Sequence, residues 1–358
     1  HDAWRFKDGG LKWRRITALS AENGDMVWSR PLNYRTRPVI VGNKIILEPQ
    51  ACDLRTGEIL TRDHPVTGEQ VAWEFLRPGH TCGITAASAK GLFYRSACTA
   101  FYDLEQDNGV TIFGAYRPGC AISVIPASGV LLSQEAAAGC TCSYPVRCSL
   151  AMIRKPSRTQ PWTVYVTPGE LKPVKHFAIN FGAPADMKDS EGTVWFSYPN
   201  PKTDSFTHFP GYGVKFNLGE RILPGMGFFS RDFKGLTISG TDKPWLFTSG
   251  CQGLRRCEIP LAGAAQEPAS YTVRMGFNAM PGDQVGQRVF DVKLQDKLVL
   301  EGFDIVATAG AVNKAVVKEF KGIEAANVLV LELVPKPADP QPGQAPIINF
   351  IEIIKEEA

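Results

Sequence analysis

Residues 288–294 read RVFDVKL and residues 328–334 read VLVLELV, and in both runs apolar side chains recur at every second position. This period of two places the apolar side chains on one face of a β-strand. Turn residues separate such runs throughout, because the chain has 34 glycines and 26 prolines among its 358 residues. Helical periodicity is weak, and its best case, residues 313–320, is equally compatible with a strand. The sequence therefore predicts an all-β fold of short strands joined by turns.

The overall composition excludes several classes of protein. A hydrophobic content of 44% excludes a disordered chain. Thirty-nine basic residues against 36 acidic ones leave a formal charge of +3, which is too even to indicate a nucleic-acid partner. No apolar run approaches the roughly 18–20 residues that span a bilayer. The first residues are polar and charged, so we expect any export signal to lie upstream.

The first half of the chain contains an internal repeat. Residues 18–28 (ALSAENGDMVW), 51–60 (ACDLRTGEIL) and 101–113 (FYDLEQDNGVTIF) share one pattern. A small or polar residue ends a strand, Asp or Ser hydrogen-bonds the turn backbone, and glycine supplies a positive φ. An aromatic residue on the next strand then packs between neighbouring sheets. Such hairpins cannot bury both faces alone, so they are expected to stack as blades of a β-propeller.

This pattern resembles the blades of pyrroloquinoline-quinone (PQQ)-type propellers, a family of quinone dehydrogenases and non-catalytic bacterial scaffold proteins. Residues 117–129 and 139–145 look like the last blades of large secreted members, and the resemblance covers residues 1–153. Propellers have about four to eight blades of roughly 40–45 residues, whereas residues 1–155 can build only three to four. The missing blades are therefore expected from an upstream segment or another chain, because an open ring exposes two sheet edges. PQQ is expected as a cofactor only if the complete propeller retains a site, and no other cofactor is expected.

The nine cysteines favour disulfides in an oxidising compartment over metal ligation, because no CxxC or HExxH motif is present. The first predicted pair is symmetrical about Lys90 in a hairpin, and the others flank short turns. The predicted pairs are Cys82 with Cys98, Cys120 with Cys140, and Cys251 with Cys257. At least one remaining thiol is then free or pairs with another chain. A catalytic cysteine is the alternative, but no neighbouring histidine marks one.

Residues 154–161 are polar, basic and flanked by proline, a composition typical of an interdomain connection. We therefore predict propeller blades at 1–155, a linker at 156–165 and a β-sandwich at 166–358. The sandwich resembles malectin-like domains of jelly-roll type in five ordered stretches. These are residues 178–182, 186–195, 271–277, 288–305 and 348–354.

Characterised malectin-like domains bind carbohydrate, so the resemblance implies a glycan partner. By position, Trp195 and Tyr198 fall in a loop where the family carries an aromatic contact, although Trp195 is equally compatible with a core position. Asp339, in the proline-rich loop before the last strand, lies where the family carries an acid that binds hydroxyl groups. Asn180 and Gly182 are expected to be structural.

Residues 248–257 replace the aromatic-rich loop that contacts sugar in malectin. Arg255 and Arg256 in this segment suit an anionic sugar, or they form a solvated hairpin tip. The carboxylate pairs Asp186/Asp189 and Asp103/Glu105 are expected to be surface acids. No catalytic residue and no metal site is assigned.

The sequence thus favours a non-enzymatic bacterial scaffold that binds glycan and is secreted, periplasmic or on the cell surface. The alternative is an accessory portion of a polysaccharide-degrading or quinone-dependent enzyme whose catalytic residues lie outside this chain. A structural subunit of a surface assembly is a third possibility.

Overall fold

The computed structural model describes residues 14–357 except 33, 35, 76, 78–81, 114–115, 121, 123, 136–145, 154–161, 200–213, 215, 233–234 and 263–266. The protein is all-β, with 48% strand and 4% helix. The described chain divides into two units. Unit 1 runs from Arg14 to Gly169 apart from Pro65–Gly68, and unit 2 comprises Pro65–Gly68 with most of the chain from Glu170 onward. No helix in the described ranges is long and apolar enough to cross a membrane.

Unit 1 consists of short strands in small sheets. The sheets have the orders β1–β2, β3–β4–β5, β6–β7, β8–β9–β10–β11, β12–β15 and β13–β14–β16. The strands are β1 (Arg15–Leu19), β2 (Met26–Pro31), β3 (Val39–Val41), β4 (Lys44–Ile46), β5 (Ala51–Asp53), β6 (Thr61–Asp63), β7 (Gln70–Ala72), β8 (Ala86–Ser88), β9 (Gly91–Ser96), β10 (Cys98–Asp103), β11 (Val110–Phe113), β12 (Tyr116–Arg117), β13 (Ile125–Ala127), β14 (Val130–Ser133), β15 (Val146–Arg147) and β16 (Leu150–Ile153).

The predicted repeat turns are present. Asp53 Oδ1 accepts hydrogen bonds from the backbone N–H groups of Arg55 and Thr56, at 2.8 and 2.9 Å, and Gly57 has a φ of 69°. Asp103 accepts two equivalent bonds before Gly109, and the Ser20 hydroxyl accepts one before Gly24. The carboxylate or hydroxyl satisfies the N–H groups that the turn leaves unpaired, and glycine adopts the positive φ without a Cβ clash.

Apolar side chains between successive sheets hold unit 1 together. Trp28 of the first sheet packs in a cluster with Ile45, Leu47 and Cys52 of the next, and its Nε1 donates to the Leu54 carbonyl at 3.0 Å. The first strands of three sheets also contact one another in order, β3 with β8 and β8 with β13. The described residues of unit 1 form no closed propeller.

Unit 2 is a β-sandwich. Its large sheets have the orders β18–β19–β17–β30–β24–β27 and β20–β23–β28–β25–β26, with a small sheet β21–β22–β29 beside them. The strands are β17 (His176–Phe181), β18 (Met187–Lys188), β19 (Val194–Tyr198), β20 (Arg221–Ile222), β21 (Phe228–Ser230), β22 (Ser249–Gln252), β23 (Leu254–Pro260), β24 (Ala269–Phe277), β25 (Val289–Leu294), β26 (Lys297–Asp304), β27 (Val316–Ala325), β28 (Val328–Pro335), β29 (Ile347–Ile348) and β30 (Phe350–Lys355). One short helix, α1 (Ile305–Ala309), and the 3-10 turns Pro244–Phe247 and Pro342–Gln344 complete the described part of unit 2.

The sandwich core follows the alternation seen in the sequence. β25 and β28 bury every second side chain, as predicted, and the Phe277 ring of the six-stranded sheet lies 6.1 Å from Phe290 and 5.0 Å from Phe303 of the five-stranded sheet. Residues 313–320, the best helical candidate, instead lead into and form the edge strand β27.

Two residues expected to be structural have structural roles. Ser249 Oγ donates to Asn180 Oδ1 at 3.2 Å inside the core. A methyl group on Gly182 would overlap the carbonyl oxygen of Phe229 and lie 2.7 Å from that of Gly250. Glycine at this position therefore allows two backbones to approach each other closely.

Two of the predicted disulfides, Cys82–Cys98 and Cys251–Cys257, are not formed between the described residues. β9 ends at Ser96, and the chain reverses at Ala97, so Cys98 begins the next strand instead of lying opposite Cys82. Cys251 and Cys257 lie in β22 and β23, which belong to different sheets. The predicted partner of Cys120, Cys140, lies outside the described residues.

Candidate functional site

Three segments of unit 2 converge at one end of the sandwich, which we call the loop end: residues 223–227, residues 252–253 and the proline-rich loop 336–346. Backbone hydrogen bonds join them. Gln252 N donates to Gly227 O at 2.9 Å, Leu223 N to Gly253 O at 2.9 Å, and Gly253 N to Pro346 O at 2.7 Å. The three segments therefore form one hydrogen-bonded surface.

Hydrogen bonds from a buried arginine, Arg288, anchor the proline-rich loop. Arg288 is 3% exposed, and its guanidinium bonds both oxygens of Asp283 at 3.0 Å. The same guanidinium donates to the carbonyl oxygens of Pro342 and Ala345. Because a paired, fully bonded guanidinium is costly to disturb, the loop is held in one conformation. Asp339 lies on this loop with its side chain exposed.

Half-buried apolar side chains lie in the first segment of the loop end or directly after it. Met226, Phe228 and Phe229 are each partly exposed. A Cβ on Gly253 would lie 2.6 Å from the Met226 sulfur, so glycine lets the β22–β23 junction approach this segment. Apolar surface beside a few positioned polar groups is the usual make-up of a small-ligand site.

Tyr198 lies in the buried strand β19 and not in the loop that the sequence had predicted. Its side chain is 5% exposed and stacks on Phe216, with ring centroids 5.4 Å apart. Its hydroxyl donates to the Glu220 carboxylate. Burial, followed by this hydrogen bond, raises the pKa of the Tyr198 phenol well above its usual range. The Tyr198 ring therefore presents no face to solvent.

Trp195 occupies the core position that the sequence left open. It is 3% exposed and packs with Ala178, Phe247 and Phe350, with its ring centroid 5.0 Å from that of Phe350. Its indole N–H donates to Asp189 at 3.0 Å.

Asp186 and Asp189 are buried and not surface acids, which corrects the sequence-based expectation. They are 7% and 8% exposed. Asp186 accepts hydrogen bonds from the backbone N–H and hydroxyl of Ser197 at 2.9 and 3.0 Å. Both carboxylates are committed to internal donors, which gives them a structural role.

The two arginines of the 248–257 segment have different environments. Both lie in strand β23 and not at a hairpin tip. Arg255 is exposed, whereas Arg256 forms ion pairs with Glu258 and Glu332 at 2.9 and 2.8 Å. Hydrogen bonds to these two carboxylates raise the pKa of Arg256. Its charge is therefore neutralised on the protein surface.

Of the sequence-predicted site residues, the structure places Asp339 at the loop end and Arg255 two residues beyond it in β23. Trp195 and Tyr198 are internal, and Arg256 is paired. One arginine that the sequence did not single out, Arg231, lies directly after β21 with a half-buried side chain. No sequence motif marks it, because its environment is made by Phe247 and Asp283, which are distant in sequence. The described residues contain no cluster of three or more His, Cys, Asp or Glu side chains suited to a metal ion.

The geometry defines a β-sandwich module that carries polar and apolar side chains on the loops at one end. The family model described as Malectin domain matches residues 175–331 of this chain. Residues 175–331 of unit 2 thus match the Malectin domain model, as the sequence-based resemblance predicted for this part of the chain. The family comparison contains no match to a propeller repeat.

No curated protein matches this chain. Among solved structures, it is similar to the ANXUR2 extracellular domain of Arabidopsis thaliana, with 16% identity over 51% of this chain and 41% of that one and a TM-score of 0.36. The ANXUR1 extracellular domain of the same plant matches with 17% identity over 51% and 48% and a TM-score of 0.37. A Bacteroides uniformis β-glucuronidase 2, covalently bound to cyclophellitol-6-carboxylate aziridine, matches with 13% identity over 65% and 23% and a TM-score of 0.38. The chain thus spans less than half the length of each of these proteins.

Proposed function

We propose that unit 2 is a glycan-binding module and that the loop end holds the sugar. The observation that carries this proposal is the exposed Asp339 carboxylate on a loop anchored by the buried Arg288. Half-buried Met226, Phe228 and Phe229 border the same loop end. A carboxylate accepts hydrogen bonds from sugar hydroxyls, and apolar side chains contact the C–H face of the ring.

Trp195 and Tyr198 are assigned here a supporting role beneath the loops, since both rings are internal. Arg255, exposed in β23 just after Gly253, is assigned a contact at the margin of the site. Arg256 is left out of the contact surface because Glu258 and Glu332 already pair with it.

The test is a binding screen of the whole chain on a glycan array, followed by calorimetric titration with the best ligand. Asp339→Asn should weaken binding about 10- to 150-fold, because a hydrogen bond to a charged group contributes about 1.5–3 kcal/mol. Asp242→Asn, which changes another exposed aspartate of unit 2 in the same way, is the matched control and should bind normally. Equal affinity of both variants would remove Asp339 from the site.

We further propose that unit 1 is an incomplete PQQ-like propeller of three to four blades, with the linker at 156–165 and the sandwich from 166. The repeated Asx-type turns and the succession of β3, β8 and β13 support this proposal. In this account another polypeptide segment supplies the remaining blades, and the protein is a secreted, periplasmic or cell-surface scaffold of a bacterium. Native mass spectrometry of the protein purified from its source tests it, since a single chain of 39.2 kDa without any propeller partner would contradict it.

A further inference from the structure

Arg231 is a guanidinium without adequate partners in the described part of unit 2. Its Nη2 donates to the Phe247 carbonyl oxygen at 3.3 Å. Its Nε and Nη1 are buried and have no hydrogen-bond partner. The centre of the guanidinium lies 5.8 Å from the centroid of the half-buried Phe229 ring of β21.

The surrounding charges do not balance. Asp283 is the acid whose charge acts on Arg231, but its two oxygens already bond Arg288 at 3.0 Å each. Asp283 Oδ2 also accepts the backbone N–H of Met280 at 2.9 Å. Two guanidinium groups therefore share one carboxylate. Burial lowers the pKa of Arg231, and Asp283 offsets this only in part.

Other arginines of unit 2 show how the fold treats such groups when they are structural. Arg274 pairs with Glu319 at 2.6 Å and with Glu352 at 3.4 Å, and Arg256 pairs with two glutamates. A buried charge without a partner is destabilising, and buried N–H donors are normally satisfied. Arg231 departs from this pattern. The acid that acts on it, Asp283, bonds the Arg288 guanidinium that anchors the proline-rich loop of the loop end.

We propose that Arg231 binds the oxyanion of an acidic glycan, either a uronic-acid carboxylate or a sulfate ester. This inference rests on the proposed glycan binding and specifies its ligand class. The guanidinium offers charge-assisted N–H donors, which form stronger bonds to an oxyanion than to a neutral hydroxyl. The proposal thus assigns binding of the anionic group to Arg231, whereas the sequence had assigned it to Arg255 and Arg256.

The experiment compares acidic oligosaccharides with neutral counterparts of the same backbone, using the whole chain and calorimetric titration. The probes are galacturonate, glucuronate and sulfated oligosaccharides, together with the methyl-esterified uronates and the unsulfated oligosaccharides. The wild-type protein should bind one acidic class at least about tenfold tighter than its neutral counterpart, since charged hydrogen bonds contribute about 1.5–3 kcal/mol. Whichever acidic class binds identifies the oxyanion as carboxylate or sulfate.

Arg231→Gln should abolish this preference, because the acidic ligand loses the charged donors that distinguish it from its neutral counterpart. Lys297→Gln, which removes one exposed positive charge on the β25–β26 hairpin, should keep the preference and controls for net charge. The acidic preference should also weaken with added salt.

Thermal unfolding without ligand separates binding from a structural role. Arg231→Gln should leave the melting temperature of unit 2 unchanged or higher, because it removes an incompletely paired charge. A lower melting temperature, or an unfolded variant, would overturn the proposal by making Arg231 structural. Equal binding of acidic and neutral ligands would overturn it while leaving glycan binding intact. Binding of no glycan at all would refute both proposals.

Discussion

Asp189 lies inside unit 2 yet carries a charge, because four donors converge on its carboxylate. Oδ1 accepts the backbone N–H groups of Glu191 and Thr193 at 3.0 and 2.9 Å. Oδ2 accepts the Trp195 indole N–H at 3.0 Å and the Lys243 ammonium at 2.8 Å. Burial opposes ionisation, but hydrogen bonds from Lys243 and Trp195 overcome it and lower the pKa of Asp189.

We predict that Asp189 contributes to the pH dependence of unit 2 stability. An acid whose pKa is lower in the folded than in the unfolded state contributes its full stabilisation at pH values above the unfolded-state pKa, about 3.9. That contribution is lost as the pH falls through the folded value. Asp189→Asn places an amide N–H group among groups that are themselves hydrogen-bond donors. It should therefore lower the free energy of unfolding by about 1–3 kcal/mol at pH 7.

Urea unfolding at several pH values measures this effect. The difference between wild type and Asp189→Asn should shrink below about pH 4. Asp242→Asn, at an exposed aspartate, should follow the wild-type curve. A difference that is constant with pH would show that the carboxylate charge is not responsible.

A second prediction at the residue scale concerns Gly276 in the central strand β24. A Cβ there would overlap the Phe350 ring. Gly276→Ala should therefore lower the free energy of unfolding of unit 2 by about 1–3 kcal/mol or more, as overpacked cores do. Gly235→Ala is the control, since nothing lies within 4 Å of its Cβ position. Circular dichroism during urea titration compares them, and equal stabilities would contradict the packing described here.

Strands β22 and β23 follow each other in sequence but belong to different sheets, so they separate two cysteines that are close in sequence. Gly253, with a φ of 78°, lies between β22 of the small sheet and β23 of the five-stranded sheet. Cys251 pairs in register with Phe228 and Ile348, whereas Cys257 pairs with Leu331. Burial raises the pKa of the Cys251 thiol to about 12, and it raises that of Cys257 further.

We therefore predict that both thiols are unreactive in the folded protein. N-ethylmaleimide at pH 8, with tryptic mapping, should label Cys82 and Cys148, which are partly exposed, but not Cys251 or Cys257. In urea all four should react, because thiolate forms readily once the thiols are solvated. A mass two units lower for the peptides that contain Cys251 and Cys257 would instead indicate a disulfide.

In unit 1, the segment between β4 and β5 carries Glu48 into the interior. Glu48 pairs with Arg77 at 2.7 Å, and their side chains are 1% and 0% exposed. The Lys90–Glu105 pair at 2.9 Å is, by contrast, exposed at 63% and 58%. Glu48→Gln should cost about 3–5 kcal/mol because it leaves a buried charge without its partner. Glu105→Gln should cost about 0–1 kcal/mol.

Urea unfolding followed by intrinsic fluorescence measures both variants. The expected result is a large shift of the unfolding midpoint for Glu48→Gln and almost none for Glu105→Gln. Similar midpoints for the two would mean that the interior pair contributes no more than the surface pair.

At the scale of the whole molecule, each unit has its own apolar core. The unit 1 cluster of Phe75, Tyr94 and Tyr102 shares no member with the unit 2 cluster of Trp195, Phe247 and Phe350. Mutations with no shared partners are expected to act independently. Glu48→Gln should therefore shift one unfolding transition and Gly276→Ala another. Calorimetry of the double variant should show both shifts, and a single joint transition would contradict this independence.

The sequence predicted the strands well where alternation was strict. β25 and β28 follow the period of two, and the three repeat turns follow from Asp or Ser four to six residues before glycine. It predicted Asp339 on an exposed loop from the prolines around it. It did not place Tyr198 in a strand, because β19 is buried on both faces and lacks the alternation that marks a half-exposed strand.

The amino-acid sequence by itself determined the all-β class, the turns of unit 1 and the resemblance of residues 175–331 to a Malectin domain. These depend on local geometry, in which a side chain's direction follows from its neighbours along the chain. Only the tertiary structure decided that Cys251 and Cys257 stay apart, that Arg256 is neutralised and that two nitrogens of Arg231 have no hydrogen-bond partner among the described residues. Those outcomes depend on which strands meet across a sheet and which charges share a buried region, and spacing along the chain does not specify either.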